Sequence, residues 1–156
     1  MRVHICAVGR LRTGPERALI DDYTTRFDRT GRALSLGPLA EVEVDDRKGG
    51  GMAAEGALLR RAVPAGARLI TLDERGRLMT SVQFSETLAQ IRDDGAQDLA
   101  FVIGGADGID TGLRAQANMS LSFGQMVWPH MLVRVMLVEQ LYRAASILAG
   151  SPYHRV

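Results

Sequence analysis

The chain has 156 residues, of which 46% are hydrophobic, with 19 basic and 18 acidic residues and a formal net charge of +1. That length and apolar content suit one domain, residues 1–156, with a substantial core, and the charge balance excludes binding to nucleic acid through bulk electrostatics alone. A single cysteine, Cys6, excludes an intramolecular disulfide and a cysteine metal cluster, and the longest strongly apolar run, 131–138, is interrupted by Arg134 and too short to span a bilayer.

The N-terminal "MRVHICAVGR" carries an apolar run shorter than a signal-peptide core and reads as a first strand, so a reducing, cytoplasmic setting is expected. Along the chain, 3–9 is β-rich. Residues 14–27 form a helix with Pro15 in its first turn and Leu19, Tyr23 and Phe27 on one face. "LAEVEV" (39–44) alternates like a half-buried strand. "DDRKGGGM" (45–52) reads as a mobile loop and contains Lys48, the one lysine of the chain. A helix over 52–63, a strand over 67–73 and a helix over 80–94 follow, the last capped by Thr80 or Ser81. Then come a buried strand at 98–105, a short helix at 111–118, a short strand at 120–123 and a long helix over 129–150, opened by Pro129 and stopped by Gly150.

Strands alternating with helices specify an α/β domain with a mainly parallel sheet flanked by helices. Such sheets bind ligands at the carboxyl ends of their strands. Chemistry is therefore expected in the loops after Asp73, after Ile103 and after Phe123. "FVIGGADGID" (101–110) runs from a buried strand into Gly104, Gly105 and Gly108, which let a ligand approach the backbone. It lacks the Gly-Lys-Ser/Thr of a P-loop and the G-x-G-x-x-G dinucleotide fingerprint. "TLDERG" (71–76) reads as a turn after Leu72. "LSFGQMVWPH" (121–130) places Gly124 and the single tryptophan, Trp128, in a loop able to line a purine. Taken singly, each stretch fits an ordinary turn or core segment at least as well as a site.

Two further features stand out. The last helix is apolar almost all round, which fits either a central position or a dimer interface near Val135 or Leu141, with Glu139 and Arg143 as an i,i+4 pair on its polar edge. The chain ends in "SPYHRV", where Tyr153, His154 and Arg155 combine a phenol, an imidazole and a fixed cation. The basic residues other than Lys48 are all arginines, including Arg10, Arg12, Arg17, Arg26, Arg29 and Arg32 in the first third. Arginine suits phosphate, although an Ala-, Gly- and Arg-rich chain also follows from GC-rich coding.

In this order, L-D-x-x-G, F-V-I-G-G-x-x-G, L-S-F-x-x-M-x-x-P-H with L-V-R-V, E-Q-L-Y-R-A and P-Y-H-R resemble the ribosomal large-subunit methyltransferase H family. The resemblance covers residue 68 to the end and the opening "VHICAVGRLR", and leaves 28–52 without a matching motif. It implies a SPOUT-type fold with a C-terminal trefoil knot, a homodimer, and S-adenosylmethionine as cofactor. It also implies methylation at N3 of a pseudouridine in 23S ribosomal RNA on the assembled ribosome, with neither metal nor membrane involved. Carried over by motif, the cofactor pocket is Leu72, Gly104, Phe123, Gly124, Gln125, Met126, Val127 and Trp128. Tyr153, His154 and Arg155 form the catalytic tail, which in relatives often ends in a charged residue where this chain has Val156.

For methyl transfer from a sulfonium, an enzyme must align the nucleophile and help remove the N3 proton. His154 is the candidate base by type. Arg155, as holder of the developing anion or of phosphate, ranks above it, and Tyr153 would stack on or hydrogen-bond the base. His130 reads as a supporting residue. The competing readings are a non-catalytic ribosome- or RNA-binding protein, a SPOUT methyltransferase acting on tRNA, and a nucleotide-dependent oxidoreductase, which the missing dinucleotide fingerprint disfavours.

Overall fold

The structure, a computed structural model, describes residues 1–45 and 49–155; residues 46–48 of the loop expected at 45–52, with Lys48, and the terminal Val156 lie outside the described residues. Five strands, β1 (Arg2–Val8), β2 (Leu39–Val44), β3 (Arg68–Leu78), β4 (Asp98–Ile103) and β5 (Met119–Ser122), alternate with five helices. The helices are α1 (Pro15–Gly31), α2 (Gly51–Ala62), α3 (Ser81–Asp93), α4 (Thr111–Gln116) and α5 (His130–Leu148). The strands form one sheet in the order β2-β1-β4-β3-β5, and every neighbouring pair is parallel. All strand ends of one kind therefore lie along one edge, as the alternating pattern predicts. Among the described residues, no helix is long and apolar enough to cross a membrane.

Two apolar layers hold the sheet. Val3, Ile5, Leu99, Phe101, Ile103 and Ile70 face Ile20 and Phe27 of α1, Phe84 and Leu88 of α3, and Leu137, Val138 and Leu141 of α5. Cys6, Val8, Ala100 and Val102 face Leu59 of α2 and Leu113 of α4. β4 is buried at all six positions, which is why "DLAFVI" reads as a continuous apolar run. Thr80 begins α3 with a full capping box: its side chain accepts from Gln83 N–H at 3.1 Å and its own N–H donates to Gln83 Oε1 at 2.9 Å.

Three expectations need correction. The run 73–76 is not a simple turn. β3 continues to Leu78, and its register against β5 is broken between Leu72 and Arg77, so the intervening residues bulge outward. A Cβ on Gly76 would lie 2.7 Å from the Ser120 carbonyl carbon, so this crossing of β3 and β5 closes only over glycine. Pro129 is the N-cap of α5, and His130 is its first helical residue. Leu141, expected near a dimer interface, is fully buried in the chain's own core, whereas Val135 is half-buried.

Arg134 departs furthest from its sequence appearance. It breaks the apolar run of α5, yet it is only 1% exposed. Its Nη1 donates to Glu43 Oε2 at 2.7 Å and Glu41 Oε2 at 3.1 Å, and its Nη2 donates to the carbonyls of Gly9 at 3.0 Å and Val8 at 3.2 Å. Arg17 supplies a second guanidinium, 2.7 Å from Glu41 Oε1. The signal was present in "LAEVEV": Glu41 and Glu43 share the face of β2 that turns towards α1 and α5, so two carboxylates on a half-buried strand required cations.

Candidate active site

The carboxyl ends of β4 and β5 and the bulge within β3 converge on a cavity of about 720 Å³. It is lined by Leu72 and the 73–75 bulge, by the 103–109 turn, and by Phe123, Gly124, Met126, Val127 and Trp128. Every residue expected to hold the cofactor lines it except Gln125, which is exposed outside it. His130, Arg114 and Met52 add to the wall and were not expected there as cofactor contacts.

Local chemistry sets this geometry. Gly104 is buried, and a Cβ there would overlap the Gly108 carbonyl. This glycine therefore permits a tight turn, closed by Gly108 N–H donating to Gly105 O at 3.1 Å, and a side chain on it would strike that turn before reaching the cavity. Positive φ is needed at Gly108 (87°) but at neither Gly104 nor Gly105. In the exit from β5, Ser122 Oγ accepts from Gly124 N–H at 3.0 Å and lies 3.1 Å from Glu74 O, joining the β3 bulge to the third loop. Asp73 Oδ1 accepts from Arg75 N–H at 2.9 Å, and Arg114 Nη2 pairs with Oδ2 at 2.7 Å. Burial pushes the Asp73 carboxyl up, but the Arg75 N–H and the Arg114 and Arg75 charges outweigh it and hold it below the usual range.

The third loop is apolar and open. Met126 and Val127 are each 77% exposed and Trp128 is 42% exposed, an unusual cost for a single chain in water. Backbone polar groups, glycine-bounded turns, apolar walls and carboxylates at Glu74 and Asp107 together suit a ligand with a flat heteroaromatic group and a positive charge.

The tail lies elsewhere in the single chain. Tyr153 packs on Tyr142 with ring centroids 4.6 Å apart and ring planes tilted by 56°, and the Arg143 guanidinium sits 4.8 Å above its ring. Its hydroxyl donates to Glu139 Oε1 at 3.0 Å, and burial, with further hydrogen bonding to Tyr23 and Glu139, raises its pKa. Arg143 pairs with Glu139 at 2.6 Å, as the i,i+4 spacing predicts, and its Nη1 lies 3.2 Å from His154 Nδ1. Because a guanidinium can only donate, Nδ1 accepts and the neutral ring carries its proton on Nε2. Arg155 is exposed. The tail is thus anchored on α5 and does not line the cofactor-sized cavity. Glu139, its anchor, lines a second cavity of about 490 Å³ with Leu19, Tyr23, Leu78, Val135 and Met136, and Phe123 and Gly124 form a wall common to both cavities.

The family model described as predicted SPOUT methyltransferase matches residues 1–154. The chain belongs to the SPOUT methyltransferase family. It is 72% identical, over the full length of both chains, to the ribosomal RNA large subunit methyltransferase H of Ruegeria pomeroyi, and 69% identical, again over both full lengths, to the protein of that name from Dinoroseobacter shibae. Among solved structures, a probable methylase family protein from Haemophilus influenzae superposes with a TM-score of 0.52 at 13% identity, covering 99% of this chain and 70% of that one. The SpoU methyltransferase AviRb from Streptomyces viridochromogenes, solved in complex with AdoMet, aligns with 96% of this chain and 59% of its own at 16% identity and a TM-score of 0.44.

Proposed function

We propose that this SPOUT methyltransferase acts as a homodimer in the cytoplasm, using S-adenosylmethionine to methylate N3 of a pseudouridine in 23S ribosomal RNA on the assembled ribosome. The observation that carries this reading is the convergence of Leu72, Gly104 and the 123–128 loop on one cavity, in a chain whose full-length relatives are named for the large-subunit RNA reaction. The cavity's volume falls within the roughly 300–1,000 Å³ usual for small-molecule sites. Bound there, the cofactor would supply an activated, electrophilic methyl group.

The chain's own residues have three tasks. The 104–108 turn offers backbone groups to the heterocycle, while Met126, Val127 and Trp128 cover it and exclude water. The carboxylates of Glu74 and Asp107 favour a cationic ligand over a neutral one. The tail handles the nucleotide: Tyr153 packs against or hydrogen-bonds the base, and Arg155, exposed, holds the anion left when N3 loses its proton. The donation from Arg143 to His154 Nδ1 supports ranking Arg155 above His154, because the basic nitrogen of that ring is already engaged.

A second chain completes this arrangement. Leu19 and Leu78, 44% and 58% exposed, line the second cavity with Val135 and Met136, forming an apolar face suited to a like surface. Packing there would bring one chain's tail towards its partner's 123–128 loop. Calorimetry with S-adenosylmethionine tests the cofactor site: the wild type should bind, whereas a chain that binds ribosomes but not this cofactor would be the non-catalytic RNA-binding protein. Sedimentation at micromolar concentration should give a dimer.

A further inference from the structure

A third concave surface lies beside the cofactor cavity, and it is polar. It encloses about 380 Å³ between the loop that leaves β1 and the start of α5, and is lined by Gly9, Arg10, Leu11, Arg12, Asp45, His130, Met131 and Arg134. His130 lines both this surface and the cofactor cavity, so the two are adjacent.

The loop is held in place from beneath by side chains of three elements. Leu11 N–H donates to Glu43 Oε2 at 2.7 Å, and Arg17 Nε donates to Leu11 O at 2.8 Å. Arg134 Nη2 reaches the carbonyls of Val8 and Gly9. Glu41 and Glu43 are each shared between Arg17 and Arg134, so both carboxylates are neutralised inside the cluster. Burial pushes Glu43 up, but Leu11 N–H and the Arg134 and Arg17 charges hold it below the usual carboxylate range, and it stays ionised at neutral pH. Arg10 and Arg12, by contrast, point from this fixed loop into solvent, and neither pairs with an acidic group among the described residues. Asp45 is the one carboxylate among the lining residues.

The remaining polar groups also favour an anion. α5 begins here without a side-chain cap, so the free N–H groups of its first turn meet the same space. Arg134 Nε, buried in this wall, has no partner among the described residues. Two guanidinium groups carried on a held loop, an uncapped helix start and a buried N–H without a partner among the described residues match the charge and the hydrogen-bonding needs of a phosphodiester.

We propose that the 9–12 loop is a phosphate-docking site for the RNA backbone next to the target nucleotide, with Arg10 and Arg12 as its contacts and Arg17 and Arg134 as positioning residues. This rests on the RNA-methyltransferase reading. It explains how a chain of net charge +1 engages a large polyanion: Glu41 and Glu43 beneath the loop are neutralised by Arg17 and Arg134, which leaves a small cationic spot on a held loop.

The test is a double variant, R10Q/R12Q, in the full chain, with ribosome binding measured by co-sedimentation over a salt series. Each lost phosphate contact should reduce the slope of log affinity against log salt by about 0.7–0.9, so the double variant should be shallower by roughly 1.5. KM for ribosomes should rise at least about tenfold, while affinity for S-adenosylmethionine stays at the wild-type value. R68Q, the same kind of substitution at one exposed arginine on the opposite edge of the sheet, should leave the slope unchanged. R10K/R12K should keep the slope and lose part of the affinity. A double variant with wild-type slope and KM overturns the docking site while leaving the methyltransferase reading intact. A wild-type chain that binds ribosomes with the expected slope but transfers no methyl overturns that reading alone, and one with no affinity for ribosomes or RNA overturns both.

Discussion

The two ends of the sheet are built from similar residues and do opposite things. At the amino end, Arg2 donates two bonds to Asp98, each 2.8 Å, and His4 Nε2–H donates a third at 2.7 Å. Here three side chains satisfy one another and hold no loop in place. At the carboxyl end, Arg17, Arg134, Glu41 and Glu43 are also paired, but the pairing fixes a loop whose own arginines remain free. Beside it, Arg114 Nε and Arg134 Nε lack partners among the described residues and the 126–128 loop exposes apolar side chains. Charge that is locally satisfied stabilises; polar groups and apolar surface left in excess mark where a ligand belongs.

Several variants can break or sharpen this contrast. The largest expected effect is at Arg134. Arg134→Met removes one partner of a buried network and leaves two carboxylates against a single arginine, which should cost about 3–5 kcal/mol of stability in a denaturant titration. Arg134→Lys should recover only part of this, because an ammonium cannot span two carboxylates and two carbonyls in a fork. A loss below 1 kcal/mol for Arg134→Met would show that the cluster is not what holds this end together.

Deletion of residues 152–156 comes next. It should leave cofactor affinity and assembly unchanged and reduce methyl transfer by about 10²–10³-fold, the usual effect of losing a positioned charge-stabilising donor. Within the tail, Arg155→Ala should cost more than His154→Ala, and a rate that still rises with pH in His154→Ala would remove the imidazole as base. Gly104→Val should weaken S-adenosylmethionine binding at least about tenfold, roughly 1.4 kcal/mol, with the chain still folded, since the Gly108 carbonyl must move to admit the side chain. Unchanged affinity in calorimetry would take Gly104 out of the site.

The amino end predicts smaller effects without functional consequence. Hydrogen bonds from Arg2 and then His4 hold the Asp98 carboxyl below its ordinary value. A depressed folded-state pKa contributes stability above the unfolded value, and that contribution is lost as pH falls through the folded value. The stability advantage of wild type over Asp98→Asn should therefore be constant near neutrality and shrink below about pH 4. Cofactor affinity and transfer should be equal in the two proteins. The smallest effect concerns Cys6, which is fully buried with burial pushing its thiol up to about 11. It should react with a thiol reagent only on unfolding.

Much of the fold was legible because its signals are local. Alternating β and α segments set a parallel sheet, a parallel sheet places all carboxyl ends together, and the three loops therefore had to meet. β3 was cut short because Asp73, Glu74 and Gly76 look like turn residues, and only pairing with β5 beyond the bulge shows the strand resuming. Arg134 looked like a break in an apolar face because its partners lie more than 90 positions away in sequence. The tail was legible as chemistry but not as a place: its anchors, Glu139, Tyr142 and Arg143, are on α5, and the chain's pattern does not encode which surface a second copy would present.

The most direct measurement is transfer of labelled methyl from S-adenosylmethionine to purified ribosomes, to free ribosomal RNA and to tRNA, followed by mapping of the modified base. Label is expected on the assembled ribosome, at N3 of a single pseudouridine in 23S RNA, with transfer reduced about 10²–10³-fold when residues 152–156 are deleted. Label on tRNA, label at another position of the base, or full activity without the tail would contradict the proposed function.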